Sequence, residues 1–350
     1  MNPQLEQRER GNLSTGLLTG LGGALLFIVV VAYFFYSLQP ADLKGHPSAG
    51  VDGSEKTVLF KIEKGEGVRE IGDNLAANEL IKSLGVFKFY SLVSGRAQKF
   101  LPGVYELSTS MSTPEIVTTL TTPGANETQV TIPEGSTVKD VQEMLSDAGV
   151  WKKDAPFGVP TKELKAEYPF LANATSYEGF IFPDTYRIAL DAPPEAIVRM
   201  FLDNFQIKAW SLLEGKQNWY QTLTLASLLE REVPEFSDRQ MVAAILLKRQ
   251  RIRMPLQVDA TVSYAKCGGL LKDCETLKIT KNDTALSSPY NTYQRLGWPP
   301  TPISNPGQAA IKAALAPKDN PYLYYLSAKT GETMFSKTLE EHNTKRAKYL

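Results

Sequence analysis

Three stretches of the chain repeat one arrangement of apolar positions: a short alternating run, a polar turn, then apolar residues at helical spacing. They are FKIEKGEGVREIGDNL (60–75), YELSTSMSTPEIVTTL (105–120) and, less strictly, QVTIPEGSTVKDVQEML (129–145). Phe60, Tyr105 and Val130 hold the first strand position and Ile62, Leu107 and Ile132 the second. Ile71, Ile116 and Val141 open the helical face, with Leu75, Leu120 and Leu145 one turn later. Thr137 with Asp140, and Thr113 before Pro114, mark helix starts. Three copies are too few for a solenoid, so the pattern predicts a compact α+β domain of small strand-helix units over residues 57–154.

From residue 155 the pattern changes to longer helices separated by aromatic and proline-rich segments. YEGFIFPDTYRI (177–188) reads as an aromatic strand broken by Pro183. Residues 220–233 form one helix stopped by Pro234, and Ser237 with Gln240 supplies a capping box for the next. MPLQVDATVSYA (254–265) is an extended segment entering a short helix or strand. A long Pro/Gly loop within 287–317 delivers another helix, and YLYYLSAKTGETMFS (322–336) is a hairpin over a Thr-Gly turn. A larger mixed α+β domain over 155–350 follows.

Ahead of both domains lies GLLTGLGGALLFIVVVAYFFYSL (16–38), uncharged and long enough to cross a hydrocarbon core of roughly 30 Å. The rings of Tyr33, Phe34, Phe35 and Tyr36 fall at its outer end, where interfacial aromatics sit. No small-residue cleavage site follows, so the segment predicts a transmembrane helix rather than a signal peptide. Arg8 and Arg10 before it favour a cytoplasmic N-terminus over 1–15. The polar, Pro- and Gly-containing stretch 39–56 then reads as a flexible tether to an extracytoplasmic body. Cys267 and Cys274, in CGGLLKDC, suit that side of the membrane as a disulfide, the alternative being two free thiols in a surface loop.

Charge removes several classes of function. Lys plus Arg and Asp plus Glu both number 38, so no net field recruits nucleic acid. The two histidines, His46 and His342, lie at no metal-ligand spacing, so neither a metal nor another cofactor is expected.

Candidate chemistry centres on LASLLEREVP (225–234), with glutamates at 230 and 232. Two residues apart on a helix they point about 200° apart and cannot flank one bond. Leu225, Leu228 and Leu229 lie seven, four and three residues before Glu232, which continues their stripe, whereas Glu230 stacks over Ala226 and Ser227 toward Thr224 and Arg231. On spacing alone Glu232 is the buried acid, with the raised pKa a general acid requires. The alternative is an exposed glutamate at the helix end, bonded to Arg231 or Arg239.

LTLASLLEREV, RIRMPLQVDATVSYA, YEGFIFPDTYRI, SPYNTYQRLGWPPTPISNPGQAAIKAALAP and YLYYLSAKTGETMFSKTLEEHN, with a single N-terminal span, together resemble the endolytic murein transglycosylase family (YceG-like). The first strand-helix unit also resembles glycan-gripping modules of the LysM type. The family resemblance implies that Glu232, second acid of an A-S-aliphatic-aliphatic-E-x-E motif, cuts the MurNAc-β-1,4-GlcNAc bond within nascent peptidoglycan strands without water. It protonates the leaving oxygen, then takes the proton of the C6 hydroxyl that attacks C1, leaving a 1,6-anhydro end. The implied partners are glycan strands, the inner membrane, and peptidoglycan synthases of the division or elongation machinery. Val233-Pro234 and the cysteine loop depart from the family pattern. Polar residues expected along the cleft are Glu178, Asp184, Gln257, Asp259, Asn291, Tyr293 and Asn305, each of which could equally cap a turn. Tyr177, Phe182 and Tyr290 could stack on sugar or fill the core. Two rivals stay open: a tethered glycan-binding protein without activity, and a water-using muramidase pairing Glu232 with Asp259 or Asp184.

Overall fold

A computed structural model describes residues 24–41, 57–272 and 274–350. Residues 24–38 are helical. Among the described residues no helix is long and apolar enough to cross a membrane, and the first part of the expected span, 16–23, lies outside them, as does most of the tether.

The fold is mixed α+β, and the chain divides into two compact units. The first ends at Glu127 and includes the short return Ala189–Asp191. In it, strand β1 (Thr57–Ile62) pairs antiparallel with β2 (Gly103–Ser108), Phe60 opposite Tyr105. Between them run helices α1 (Val68–Ala77) and α2 (Leu84–Val93), and α3 (Thr113–Thr121) follows. The repeat positions build this core: Phe60, Ile62, Ile71, Leu75, Tyr105, Leu107, Ile116 and Leu120 form one buried cluster. A Cβ at Gly72 would stand 2.5 Å from Leu84 and 2.9 Å from the Phe87 ring, so a side chain there would force the α2 side chains to move. Ser112, not Thr113, caps α3 in a reciprocal box with Glu115, while Thr137 and Asp140 form the box expected of them.

The third repeat, expected with the first two over 57–154, lies in the second compact unit, which begins at Thr128. Its strand β3 (Glu127–Ile132) pairs with β4 (Asp184–Ala189), and α4 (Val138–Asp147) follows it. The aromatic run 177–183 is not strand: regular structure starts at Asp184, after Pro183 removes a backbone donor. Helices α5 (Lys162–Glu167) and α6 (Pro194–Phe205) come next, α6 running on through a π turn at Gln206–Trp210. Phe170, Phe180, Phe205 and Trp210 pack ring against ring beside it.

The centre of this unit is α7 (Trp219–Glu232). Leu223 through Leu229 are buried without interruption, so the leucines form no single stripe: the helix is enclosed on every side. Around it stand α8 (Phe236–Arg251), α9 (Asp259–Lys266) and α10 (Gln308–Leu315). Helix α8 starts one residue before Ser237, with Glu235 at its N-cap, and the expected capping box does not form. The hairpin β5 (Tyr324–Ser327) and β6 (Thr333–Ser336) is antiparallel as expected, and α11 (Leu339–Tyr349) ends the chain.

Candidate active site

The two glutamates at the end of α7 have separate fates, fixed by what each helix face meets. Glu230 is not on a polar side. Its side chain is 4% exposed and bonds Arg239 Nη2 at 2.6 Å, itself 8% exposed. Its other oxygen accepts the Gly307 N–H, 2.9 Å away, at the start of α10, where the helix dipole favours a negative charge. A Cβ at Gly307 would fall 1.7 Å from the Glu134 carboxylate, so a side chain there would have to displace Glu134. The arginine partnership considered for Glu232 therefore belongs to Glu230, which ties α7 to α8 and α10.

Glu232 opens instead on a cavity of about 810 Å³. Tyr325, on β5, donates its hydroxyl to Oε2 at 2.8 Å, and the Ala260 N–H donates to Oε1 at 3.3 Å. The latter is one of the amides left unpaired by the first turn of α9. Burial pushes the Glu232 carboxyl up to about 7 and Asp259 adds to this, while Tyr325, the Ala260 N–H and Arg231 pull the other way. Such a group is divided between its acid and base forms near neutral pH.

The residues expected along the cleft divide into two sets. Gln257, Asp259 and Tyr293 line the cavity with Glu232. Tyr293 donates its hydroxyl to Asp259. Gln257 adopts φ 49°, a left-handed conformation costly for a side-chain-bearing residue. It is held there because its N–H and that of Val258 bond the carbonyl and hydroxyl of Thr292.

Glu178, Asp184, Asn291 and Asn305 lie elsewhere and serve the frame. Asn305, fully buried, accepts from the N–H groups of Gly179 and Ile181 and donates to the Ser136 carbonyl. Asn291 donates to the carbonyls of Thr284 and Leu286 and accepts from the Tyr293 N–H, so it shapes the loop that presents Tyr293. Glu178 takes the Val138 N–H at the start of α4 and the Tyr264 hydroxyl, and burial pushes it up to about 8. Asp184 pairs with Lys208 and Asn204, and the Lys208 ammonium holds its carboxyl below the usual range. Tyr177 and Phe182 are core residues, and Tyr290 packs at a tilt against Tyr264 with its hydroxyl on Thr301.

Tyr325 and Arg249 escaped the sequence reading although they share the cavity, and Arg231 was marked only as a possible ion-pair partner of Glu232. A tyrosine on a hairpin 93 residues after Glu232 carries no local mark of its partner. Cys267 and Cys274 are joined, with Cα atoms 5.6 Å apart. Their loop is fastened to the α4 start, where Thr137 donates to the Gly269 carbonyl and Asp140 accepts from the N–H groups of Leu271 and Lys272.

A model of the YceG-like family matches residues 60–348. The chain is 32% identical to the endolytic murein transglycosylase of Bacillus subtilis (strain 168), over 85% of this chain and 86% of that protein. It is 28% identical to the endolytic murein transglycosylase of Streptococcus pneumoniae serotype 2 (strain D39), over 93% of this chain and 64% of that longer relative. Its structure is similar to the crystal structure of a YceG-like protein from Listeria monocytogenes: the TM-score is 0.53 at 31% identity, covering 83% of this chain and 99% of that one.

Proposed function

The chain belongs to the YceG-like family, and from that premise we propose that Glu232 is the general acid and base of an endolytic reaction on peptidoglycan. The enzyme class, a lytic transglycosylase, follows from the relatives at 28–32% identity over most of the chain. The finer chemistry is our reading. Glu232 protonates the glycosidic oxygen of a MurNAc-β-1,4-GlcNAc bond, and the C1–O bond breaks. The muramoyl C6 oxygen bonds to C1 and its proton passes to Glu232, which restores the acid and leaves a 1,6-anhydro end with no water consumed. The observation that carries this is the Glu232 carboxyl in the cavity wall, poised at about 7 by burial. A single group that titrates there can give and then take a proton, so no second carboxylate is needed.

A water-using muramidase is the second reading. It is favoured by Asp259, which lines the same cavity and raises Glu232 electrostatically. Asp184 is absent from the cavity lining and engaged by Lys208, so it is a poor partner for such a step. Mass spectrometry of strands cut by the full-length protein separates the readings: anhydro ends support the transglycosylase, reducing ends the muramidase, and intact strands a binding protein.

Membership of a cell-wall enzyme family is consistent with an envelope location. We further read residues 16–38 as a single-pass anchor that holds the enzyme extracytoplasmically at the inner membrane, near the synthases that extrude its substrate. The strand-helix-helix-strand order of the first unit supports its reading as a glycan-gripping, LysM-like module.

A further inference from the structure

The cavity carries more positive charge than proton transfer uses. Arg231, Arg249, Lys281 and Arg346 reach it from four different parts of the second unit. None of them joins an ion pair within 4.0 Å among the described residues. The two acids on the same wall are held by phenols instead, Glu232 by Tyr325 and Asp259 by Tyr293.

Arg249 is the most constrained of the four. It is 5% exposed. Its Nε donates to the Leu323 carbonyl at 2.7 Å and its Nη1 to the Leu256 carbonyl at 2.6 Å, and its guanidinium carbon stands 5.1 Å from the Tyr324 ring. Carbonyls and a ring face orient this buried cation without forming an ion pair, and Glu232 acts on it only through space, so an anion arriving in contact would be favourable. Arg231, half-buried, donates to the Gly135 carbonyl. Lys281 and Arg346 are exposed and extend the charge to the rim.

The geometry points to an anion subsite: this cationic wall receives the carboxylates of the peptide joined to the lactyl arm of the muramoyl residue, or the lactyl carboxylate itself where no peptide is attached. The enzyme would thereby select peptide-bearing strands over bare glycan. This rests on the reading of the substrate as murein given above. A muramoyl unit differs from N-acetylglucosamine by an ether-linked lactyl group, which ends in a carboxylate or continues into a peptide bearing others. Guanidinium groups take such carboxylates in paired hydrogen bonds. Four cations spread from interior to rim exceed what one lactyl carboxylate can meet, which favours the peptide-bearing form.

Calorimetric binding to the full-length Glu232→Gln protein tests this without turnover. The three probes are chitotetraose, a peptide-free murein tetrasaccharide and a peptide-bearing one. Affinity should rise in that order. Lys281→Gln and Arg346→Gln, both at exposed positions and harmless to the fold, should each weaken the peptide-bearing ligand by about fivefold at low salt, the upper end for one exposed charge contact. Arg249→Lys, which keeps the charge and loses the fork, should weaken it further. Equal affinity for all three saccharides, or variants that weaken all three alike, would overturn the subsite. A preference that stops at the lactyl carboxylate would overturn selection for the peptide. Absence of anhydro ends from the wild-type digest would count against the transglycosylase reading alone, since binding is read separately.

Discussion

Removing the Tyr325 hydroxyl should move the alkaline limit of activity upward. Tyr325 donates to Glu232 Oε2 at 2.8 Å, and this bond favours the ionised carboxylate against the burial that opposes it. A buried hydrogen bond to a charged group is worth about 1.5–3 kcal/mol and one to a neutral group about 0.5–1.5 kcal/mol. Tyr325→Phe therefore withdraws on the order of 1–1.5 kcal/mol from the ionised form relative to the acid, or about one pKa unit. In the proposed mechanism Glu232 starts each turnover protonated, so kcat/KM should fall above about 7 in the wild type. In the variant it should fall above about 8, with about fivefold more of the enzyme in the protonated form at pH 8. Asp259→Asn should shift the limb the opposite way, since Asp259 raises the Glu232 value by charge repulsion. The assay is kcat/KM on uncrosslinked strands, counted as new chain ends, from pH 5 to 9, with circular dichroism confirming the fold at each point. A limb that stays in place or descends in Tyr325→Phe would refute the assignment of Glu232 as the titrating acid.

Three further outcomes follow from the frame around the site. Glu230→Gln should cost about 3–5 kcal/mol in denaturant unfolding, because it strands the buried Arg239 and weakens the α10 start; a stability within 1 kcal/mol of wild type, on the usual scale for surface changes, would show the pair to be dispensable. Glu178 sits at about 8 when folded, above its ordinary value, so its contribution is intact below about pH 4.5 and is lost as pH rises through 8. The loss is on the order of 5 kcal/mol, and Glu178→Gln should flatten the decline of Tm between pH 5 and 9. Cys267 and Cys274 should resist alkylation in unreduced protein, and their double serine variant should lose about 2.5 kcal/mol on loop-entropy grounds while retaining cleavage; full labelling without reductant would remove the bridge.

What the sequence disclosed was set by the range of the interactions involved. The repeat at 60–75, 105–120 and 129–145 was legible because strand alternation and helical spacing are local, and the residues it marked are core residues in the structure. Partnership was not legible. β1 takes β2, yet β3 takes β4 more than fifty positions later, and nothing in the third repeat announces this. The cap at Thr137 was readable from four residues. The cap at Ser112 was misplaced by one position because Thr and Ser stand side by side and either hydroxyl can serve.

The site shows the same division more sharply. Helical spacing separated Glu230 from Glu232, and the structure does put them to different uses, but the reason differs from the one spacing offered. A leucine stripe on one face would have buried Glu232 and left Glu230 wet. In fact α7 is enclosed all round over residues 223–229 and both acids beyond it are partly buried, so what distinguishes them is the neighbour each meets at the helix end. Glu230 meets a guanidinium and a helix N-terminus, which hold it as a structural anion. Glu232 meets a phenol, one amide and Asp259 beside open space, a setting that leaves its proton exchangeable. For the same reason Leu228→Asn would carry an amide into the core of the unit instead of wetting the acid, and its effect on a pH profile could not be separated from unfolding. The pKa of this acid is controlled from Tyr325 and Asp259, on two elements remote in sequence, and substitutions there are the ones that address the chemistry.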